Sequence, residues 1–442
     1  MPAGQNRPVR TATADQGSET GWVGIWAAAP QRAEPDNLPP PPFTRDGTVL
    51  RDSTLRQTIR VTADATRIRL RLSNAFGGTE LGIARVCLAR PGGGRAGVSA
   101  IEPGTSRPVT FAGRPGVTMP PGAAAASDPV DFPVTAGANV AVTLYLPAGQ
   151  PAAGGITSHP GSRTTSYLAA GDHVTATDLT GAGGTVLSNP GPGNTGSAET
   201  EHWYFLSGVD AAGGAAGPSG AAVFLGDSLT DGRGSTTNGN DRWPDQLLDL
   251  MRARGDGGAA SAGSVALLNQ GIGGNRVLRD GLGPAVLARL HRDVLAVSGV
   301  RWLVVFAGLN DIGTAEATPA AQAQVVAELG AAYEQIAAMV HAAGIACYAA
   351  TLTPFGGSAA YDDPGGHREH ARRRVNARIR SRRRRYGAVL DFEAAVVDSG
   401  AAERDPLAPR RLRAEFDAGD GLHLNPAGYR ALANAVPFDL FK

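Results

Sequence analysis

The stretch AAVFLGDSLTDGRG, Ala221 to Gly234, ends an apolar run in Gly226-Asp227-Ser228 and adds Thr230 and Asp231 just beyond. A serine hydroxyl becomes an effective nucleophile only when a base takes its proton during attack. Near the C-terminus, DAGDGLHLNPAGY supplies Asp420 and His423. His423 is suited to be that base, and Asp420 to fix the imidazole tautomer and stabilise the imidazolium. The chemistry such a set supports is acyl transfer. Its tetrahedral intermediate carries a negative oxygen and needs donors already aimed at it, each worth roughly 3–4 kcal/mol. The candidate donors are the backbone N–H of Ser228, the backbone N–H of Gly274 in NQGIGGNR, and the side-chain amide of Asn310 in GLND. A glycine suits the second role because no side chain blocks its N–H.

Each residue alone has a plainer reading. Ser228 reads as a helix cap, and Gly273-Gly274 as a tight turn. Asn310-Asp311 reads as a turn or cap, and His423 as a loop histidine. Their ordered occurrence at the ends of expected strands favours chemistry. Asp227 belongs to the turn that presents Ser228, and Asp231 has no assigned role at this stage.

Five short apolar runs carry these clusters: AAVFLG, SVALLN, RWLVVFA, IACYAAT and GAVLD. RWPDQLLDLMRARG and PAAQAQVVAELGAAYEQIAAMVHAAG between them have apolar residues at three- and four-residue spacing, as helices do. Apolar strands alternating with helices predict a parallel sheet covered on both faces. Such sheets place ligands at the carboxyl ends of their strands. The preceding half differs. STLRQTIRVTADATRIRLRLSNAFG alternates with period two and reads as two half-buried antiparallel strands joined at Ala-Asp. LGIARVCLA, PVTFAG, NVAVTLYLP and TSYLAAGDHVTA add short strands, and no helical period precedes about residue 210. The chain therefore divides into a flexible leader at 1–21, an all-β, sandwich-like domain at 22–210, a linker at 211–220 and an α/β domain at 221–442.

A length of 442 residues suits two domains, at roughly 100–200 residues each. A net charge of +1 argues against a nucleic-acid or acidic-membrane partner. The two cysteines, Cys87 and Cys347, sit in apolar surroundings and read as buried, unpaired thiols. No apolar run approaches the roughly 20 residues that cross a bilayer. The first residues have no signal-peptide shape, so a soluble protein without a visible export signal is expected, its compartment and oligomeric state left open.

At four places the sequence resembles the SGNH (GDSL) family of serine esterases and lipases: GDSLTDG, NQGIGGNR, GLND and DGLHLNPAGY, in that order. The resemblance covers about Ala221 to Lys442. It implies a flavodoxin-like three-layer α/β/α domain, with Ser228 as nucleophile, His423 as base and Asp420 as its partner. It implies Ser228, Gly274 and Asn310 as oxyanion donors, with no metal and no cofactor. The all-β half resembles the N-terminal modules of two-domain members, some described as carbohydrate esterases. The expectation is a serine ester hydrolase acting on a small acyl group, acetyl above all, of a small-molecule or polysaccharide ester. The alternatives are an acyltransferase with the same triad and a polysaccharide-binding protein with a vestigial one.

Other features read as structural. The arginine run in GGHREHARRRVNARIRSRRRRYG is expected to be a solvated helix face. His367, Glu369 and His370 read as a surface turn. His159 and Arg163 in SHPGSRTTSY read as strand-edge residues, a loop over the cleft being the minority view.

Overall fold

The computed structural model describes residues 21–180, 198–213, 217–254, 265–382, 385–400 and 409–442. All but the last residue of the expected leader, and most of the glycine-rich segment before Thr200, lie outside the described residues.

The N-terminal half is built from β1 (Trp22–Ala27), β2 (Ser53–Arg60), β3 (Ala65–Ser73), β4 (Arg85–Ala89), β5 (Asn139–Leu146), β6 (Thr157–Pro160), β7 (Ser166–Ala170), β8 (His202–Tyr204), β9 (Leu206–Ala212) and shorter strands. One antiparallel sheet runs β1–β9–β3, with Ala124–Ala126 and Val130–Val134 against β3. A second runs from Ala198–Thr200 through β7, β2, β5 and β4 to Arg107–Val109. Apolar side chains of both, Leu55 and Ile59 with Ile68, Leu70 and Leu72, join one buried cluster.

Thus β2 and β3 are strands, as their alternation indicates, but they do not pair with each other. The chain turns a corner between them and sends each to a different sheet. Nor is β2 half-buried. Its polar residues are covered too, and Arg56 survives burial by donating to Thr143 Oγ1 (2.9 Å) and to the carbonyls of Ser99 (2.5 Å) and Ala176 (2.7 Å).

The second half follows the expected alternation. Strands β10 (Gly220–Gly226), β11 (Val265–Gly271), β12 (Val300–Phe306), β13 (Ala346–Ala350) and β14 (Ala388–Leu390) are all parallel, in the order β11–β10–β12–β13–β14. Helices α1 (Ser228–Asp231), α2 (Trp243–Arg254), α3 (Leu309–Thr314), α4 (Pro319–Ala342), α5 (His367–Ser381) and α6 (Pro426–Asn434) lie between and after them. Every residue of β10 is buried, which explains its unbroken apolar run. In this order the connections from β10 and β11 leave in opposite directions, opening a crevice at the strand ends. The fold is mixed α/β: a parallel-sheet domain preceded by an antiparallel β-rich half.

The halves share a core, since one buried cluster contains residues of both. The Gly24 N–H of β1 donates to the Ser298 carbonyl (2.9 Å), and the Leu267 N–H of edge strand β11 donates to Thr62 Oγ1 (3.0 Å). A Cβ at Gly24 would lie 3.0 Å from Leu268 Cδ1, so the glycine permits this close approach. β9 runs through Ala212, into the stretch read as a linker, and β10 begins at Gly220.

The arginine run forms α5, but its face is not uniformly solvated. Arg372 is fully buried and pairs with Glu369 (2.7 Å) and Glu393 (2.8 Å). His367 and His370 lie in the first turns of the same helix rather than in a surface turn. Cys87 and Cys347 are buried and unpaired. Among the described residues, no helix is long and apolar enough to cross a membrane.

Candidate active site

The chain leaves β10 through Gly226, where a Cβ would fall 2.2 Å from Thr230 Oγ1 and 2.8 Å from the Phe306 carbonyl. Only glycine lets the strand turn this sharply into α1. Asp227, not Ser228, caps that helix: its Oδ1 accepts the Leu229 N–H at 3.0 Å. The cap frees the Ser228 hydroxyl for another partner. It also leaves the Ser228 N–H in the first turn, where a helix offers no internal acceptor. Burial pushes the Asp227 carboxyl up to about 7, and nearby Asp311 adds to this, against the Leu229 N–H.

Ser228 Oγ lies 2.9 Å from His423 Nε2. His423 Nδ1 lies 2.6 Å from Asp420 Oδ2, and Asp420 Oδ1 accepts the backbone N–H groups of Leu422 (3.0 Å) and His423 (2.8 Å). These bonds outweigh the opposing effect of partial burial and hold the Asp420 carboxyl down at about 2. For His423 burial dominates and moves the ring below its ordinary value, despite Asp420, with Arg233 and Arg163 lowering it further. The loop is anchored by α6. Asn425 caps that helix with Oδ1 on the Gly428 N–H (3.0 Å), Pro426 opens it, and Gln246 of α2 donates to the Pro426 carbonyl (2.8 Å).

Gly274 and Asn310 line the same cleft as Ser228 and His423. Gly274 has φ +70, a conformation suited to glycine, and Gly273 lies beside it on the cleft wall. Asn310 Nδ2 donates to the Asn275 carbonyl (2.8 Å) while its Oδ1 accepts the Tyr361 hydroxyl (2.5 Å). Tyr361 thereby sets which end of the amide is the donor, and one N–H of Nδ2 remains for a ligand. Ser228, Gly274, Asn310, Asp420 and His423 thus meet in one cleft, with the half-exposed Asp420 at its rim.

Several supporting residues were not legible beforehand. Arg289 is buried and donates to Asn275 Oδ1 (3.0 Å) and to the carbonyls of Gln270 (2.8 Å) and Gly226 (2.9 Å), with Asp293 as its counter-ion (3.0 Å). It ties the ends of β10 and β11 to the loop carrying Gly274. Asp311 accepts the N–H groups of Val277 (2.8 Å) and Leu278 (3.0 Å), holding that loop from the other side. The β-rich half also contributes. Gln31, Glu34, Pro160, Arg163 and His202 stand on the cleft wall, so the SHPGSR segment is more than a strand edge. His159 bonds Asp231 Oδ1 (2.9 Å) and the Ala29 carbonyl (3.0 Å), and both side chains of the pair are buried. Asp231 acquires a partner here that nothing in its own neighbourhood announces. Among the described residues no group of acidic, histidine or cysteine side chains is arranged to hold a metal.

Residues 224–431 match the model of the GDSL-like Lipase/Acylhydrolase family, whose name denotes hydrolysis of esters. No curated protein matches the chain. Among solved structures, an acetyl xylan esterase from Geobacillus stearothermophilus is similar at 18% identity, over 49% of this chain and 93% of that one, with a TM-score of 0.36. A second acetyl xylan esterase is similar at 19% identity, over 49% and 96% of the two chains, TM-score 0.35. An alpha/beta hydrolase enzyme from the metagenome of Lake Arreo, Spain, is similar at 20% identity, over 49% and 93%, TM-score 0.34. The family match thus falls on the C-terminal, parallel-sheet half of the chain.

Proposed function

We propose that this GDSL-type domain is a serine ester hydrolase that removes a short acyl group, acetyl first among them, from a carbohydrate or other polar alcohol. The observation that carries the reading is the continuous relay Ser228 Oγ–His423 Nε2 (2.9 Å) and His423 Nδ1–Asp420 Oδ2 (2.6 Å). In this reading Ser228 Oγ attacks the ester carbonyl carbon while His423 Nε2 takes the hydroxyl proton. The tetrahedral oxyanion accepts from the N–H of Ser228, the N–H of Gly274 and Asn310 Nδ2. As it collapses, the carbon–oxygen bond to the alcohol breaks and His423 gives its proton to the leaving oxygen. Water then attacks the acyl-serine, His423 again takes and returns a proton, and the acid departs. Asp420 holds Nδ1–H throughout and stabilises the imidazolium.

The cleft supports a polar alcohol and a short acyl chain. It measures about 980 Å³; charged and polar side chains such as Glu34, Arg163 and Arg233 alternate along its walls with small residues, and Leu282, Tyr361, Leu412 and Leu422 are separate large apolar groups rather than one groove. A long acyl chain calls for a continuous apolar groove. The cleft is open to water, which favours hydrolysis over transfer to a second alcohol. The test is hydrolysis of p-nitrophenyl acetate. The expected result is turnover by the native chain and its loss in Ser228→Ala with unchanged circular dichroism. Undiminished turnover by the alanine variant refutes the assignment.

A further inference from the structure

The segment following β6 carries Arg163 into the cleft and is held there by the other half of the molecule. Asn238 N donates to the Arg163 carbonyl (2.9 Å), Thr165 N donates to Asn238 Oδ1 (2.8 Å), and Arg242 donates to the Ser162 carbonyl. Arg163 itself has φ +53, a conformation that non-glycine residues seldom adopt and that clusters at functional sites. Its Nε is buried without a hydrogen-bond partner. Arg233, just beyond α1, stands on the same wall. Among the described residues neither guanidinium has a carboxylate within ion-pair distance.

The acids of the cleft are committed elsewhere. Glu34 accepts from Gln31 (3.0 Å) and Asn37 (2.8 Å), Asp231 is bonded to His159 (2.9 Å), and Asp420 to His423 (2.6 Å). Asp417 accepts the N–H groups of Gly419 (2.8 Å) and Gly421 (3.1 Å), and Asp398 has a partner of its own. The cleft therefore offers a ligand the guanidinium groups of Arg163, Arg233 and, on the segment near Gly357, Arg411, while each of its acids already has a protein partner.

Arg163 and Arg233 lie close enough to His423 for their charge to disfavour the imidazolium. They line the same cleft as Ser228 and His423, and His423 in this reading protonates the departing alcohol. We propose that Arg163 and Arg233 form an anion-binding subsite for the alcohol portion of the substrate, which then carries a carboxylate or a phosphate. Guanidinium groups suit both, because their fork of donors matches paired anionic oxygens. This inference rests on the ester-hydrolase reading for its placement on the alcohol side.

The test uses the full chain and two matched pairs of ligands: galacturonate with its methyl ester, and glycerol 3-phosphate with glycerol. Titration calorimetry at low salt is expected to give at least about tenfold tighter binding of the charged member in one pair or both. The carboxylate pair and the phosphate pair distinguish the two sources of the anion. The discrimination is expected to fall about tenfold in Arg163→Gln and, independently, in the exposed Arg233→Gln. The O-acetylated forms of the same compounds are expected to show the same ranking in kcat/KM. Equal binding of charged and neutral members in both pairs overturns the proposal, as does discrimination that survives both substitutions. Selective binding by a protein that does not hydrolyse p-nitrophenyl acetate overturns the hydrolase reading and leaves the anion site standing.

Discussion

Replacing Asn310 by alanine separates catalysis from architecture. The side chain has three tasks: one N–H to the Asn275 carbonyl, Oδ1 to the Tyr361 hydroxyl, and one N–H facing the cleft. A lost oxyanion donor costs about 2.7–4 kcal/mol in the transition state, and 1.36 kcal/mol is a factor of ten. The expected fall in kcat for p-nitrophenyl acetate is therefore about 10²–10³, with KM little changed because the carbonyl in the ground state makes weaker use of the donor. The same truncation leaves a buried carbonyl and a phenol without partners, so stability should fall by about 1–3 kcal/mol in urea unfolding. Tyr361→Phe keeps the amide but frees its orientation. It should lower kcat by less than Asn310→Ala while leaving the Asn275 bond in place. Steady-state kinetics of the two variants, with unfolding curves alongside, give both numbers. A kcat for Asn310→Ala within threefold of the native value refutes the donor assignment, whatever the stability change.

The pH dependence follows from His423. Only the neutral ring accepts the serine proton, and burial lowers its folded value below the ordinary 6.5. The kcat/KM for an uncharged ester should rise with pH through an acid limb centred below 6.5, and a limb at or above that value contradicts the environment described. Glu393 governs acid stability. Burial opposes its ionisation, but Arg372 and Arg380 prevail and hold its folded value at about 2 against an ordinary 4.5. Its contribution is complete above 4.5 and is lost as pH falls from there towards 2. Glu393→Gln should cost about 3 kcal/mol near neutrality and flatten this acid limb of the unfolding free energy; an unchanged pH profile refutes the role. His159→Ala removes the partner of buried Asp231 and should cost about 3 kcal/mol. Unfolding within 0.5 kcal/mol of native would show that the pair does not fasten the two halves.

The parallel sheet was legible because strands buried on both faces must be written as apolar runs. The candidate residues Ser228, Gly274 and Asn310 were legible because each follows such a run, and Asp420 and His423 because they stand together just before the Asn425-Pro426 helix start. Period-two alternation is less informative about pairing. It says which face a residue takes, not which strand lies beside it, so β2 and β3 read as a hairpin although each joins a different sheet. Nor does it reveal that Arg56 lies buried among oxygen acceptors contributed by three separate segments. The capping role fell to Asp227 rather than Ser228, because both residue types cap equally well and only the turn geometry decides. His159–Asp231, Tyr361–Asn310 and Arg289–Gly226 join positions far apart in the chain and leave no local pattern. The signal available for Asp231 was only that a second carboxylate stood unexplained beside the serine.

The shared core also bears on biosynthesis. Translation completes β1 and its partner β9 before β10 and β11 emerge. During that interval the face of β1 that will receive Leu268 is open to water, and the Thr62 hydroxyl, already donating to the Ile25 carbonyl, has yet to accept the Leu267 N–H. The nascent first half is thus a platform awaiting its second layer. The later half, released without that platform, would display β11 as a bare sheet edge, the kind of surface along which chains pair with one another. Connecting the halves in one polypeptide ensures that the cover for this edge is already made when the edge appears.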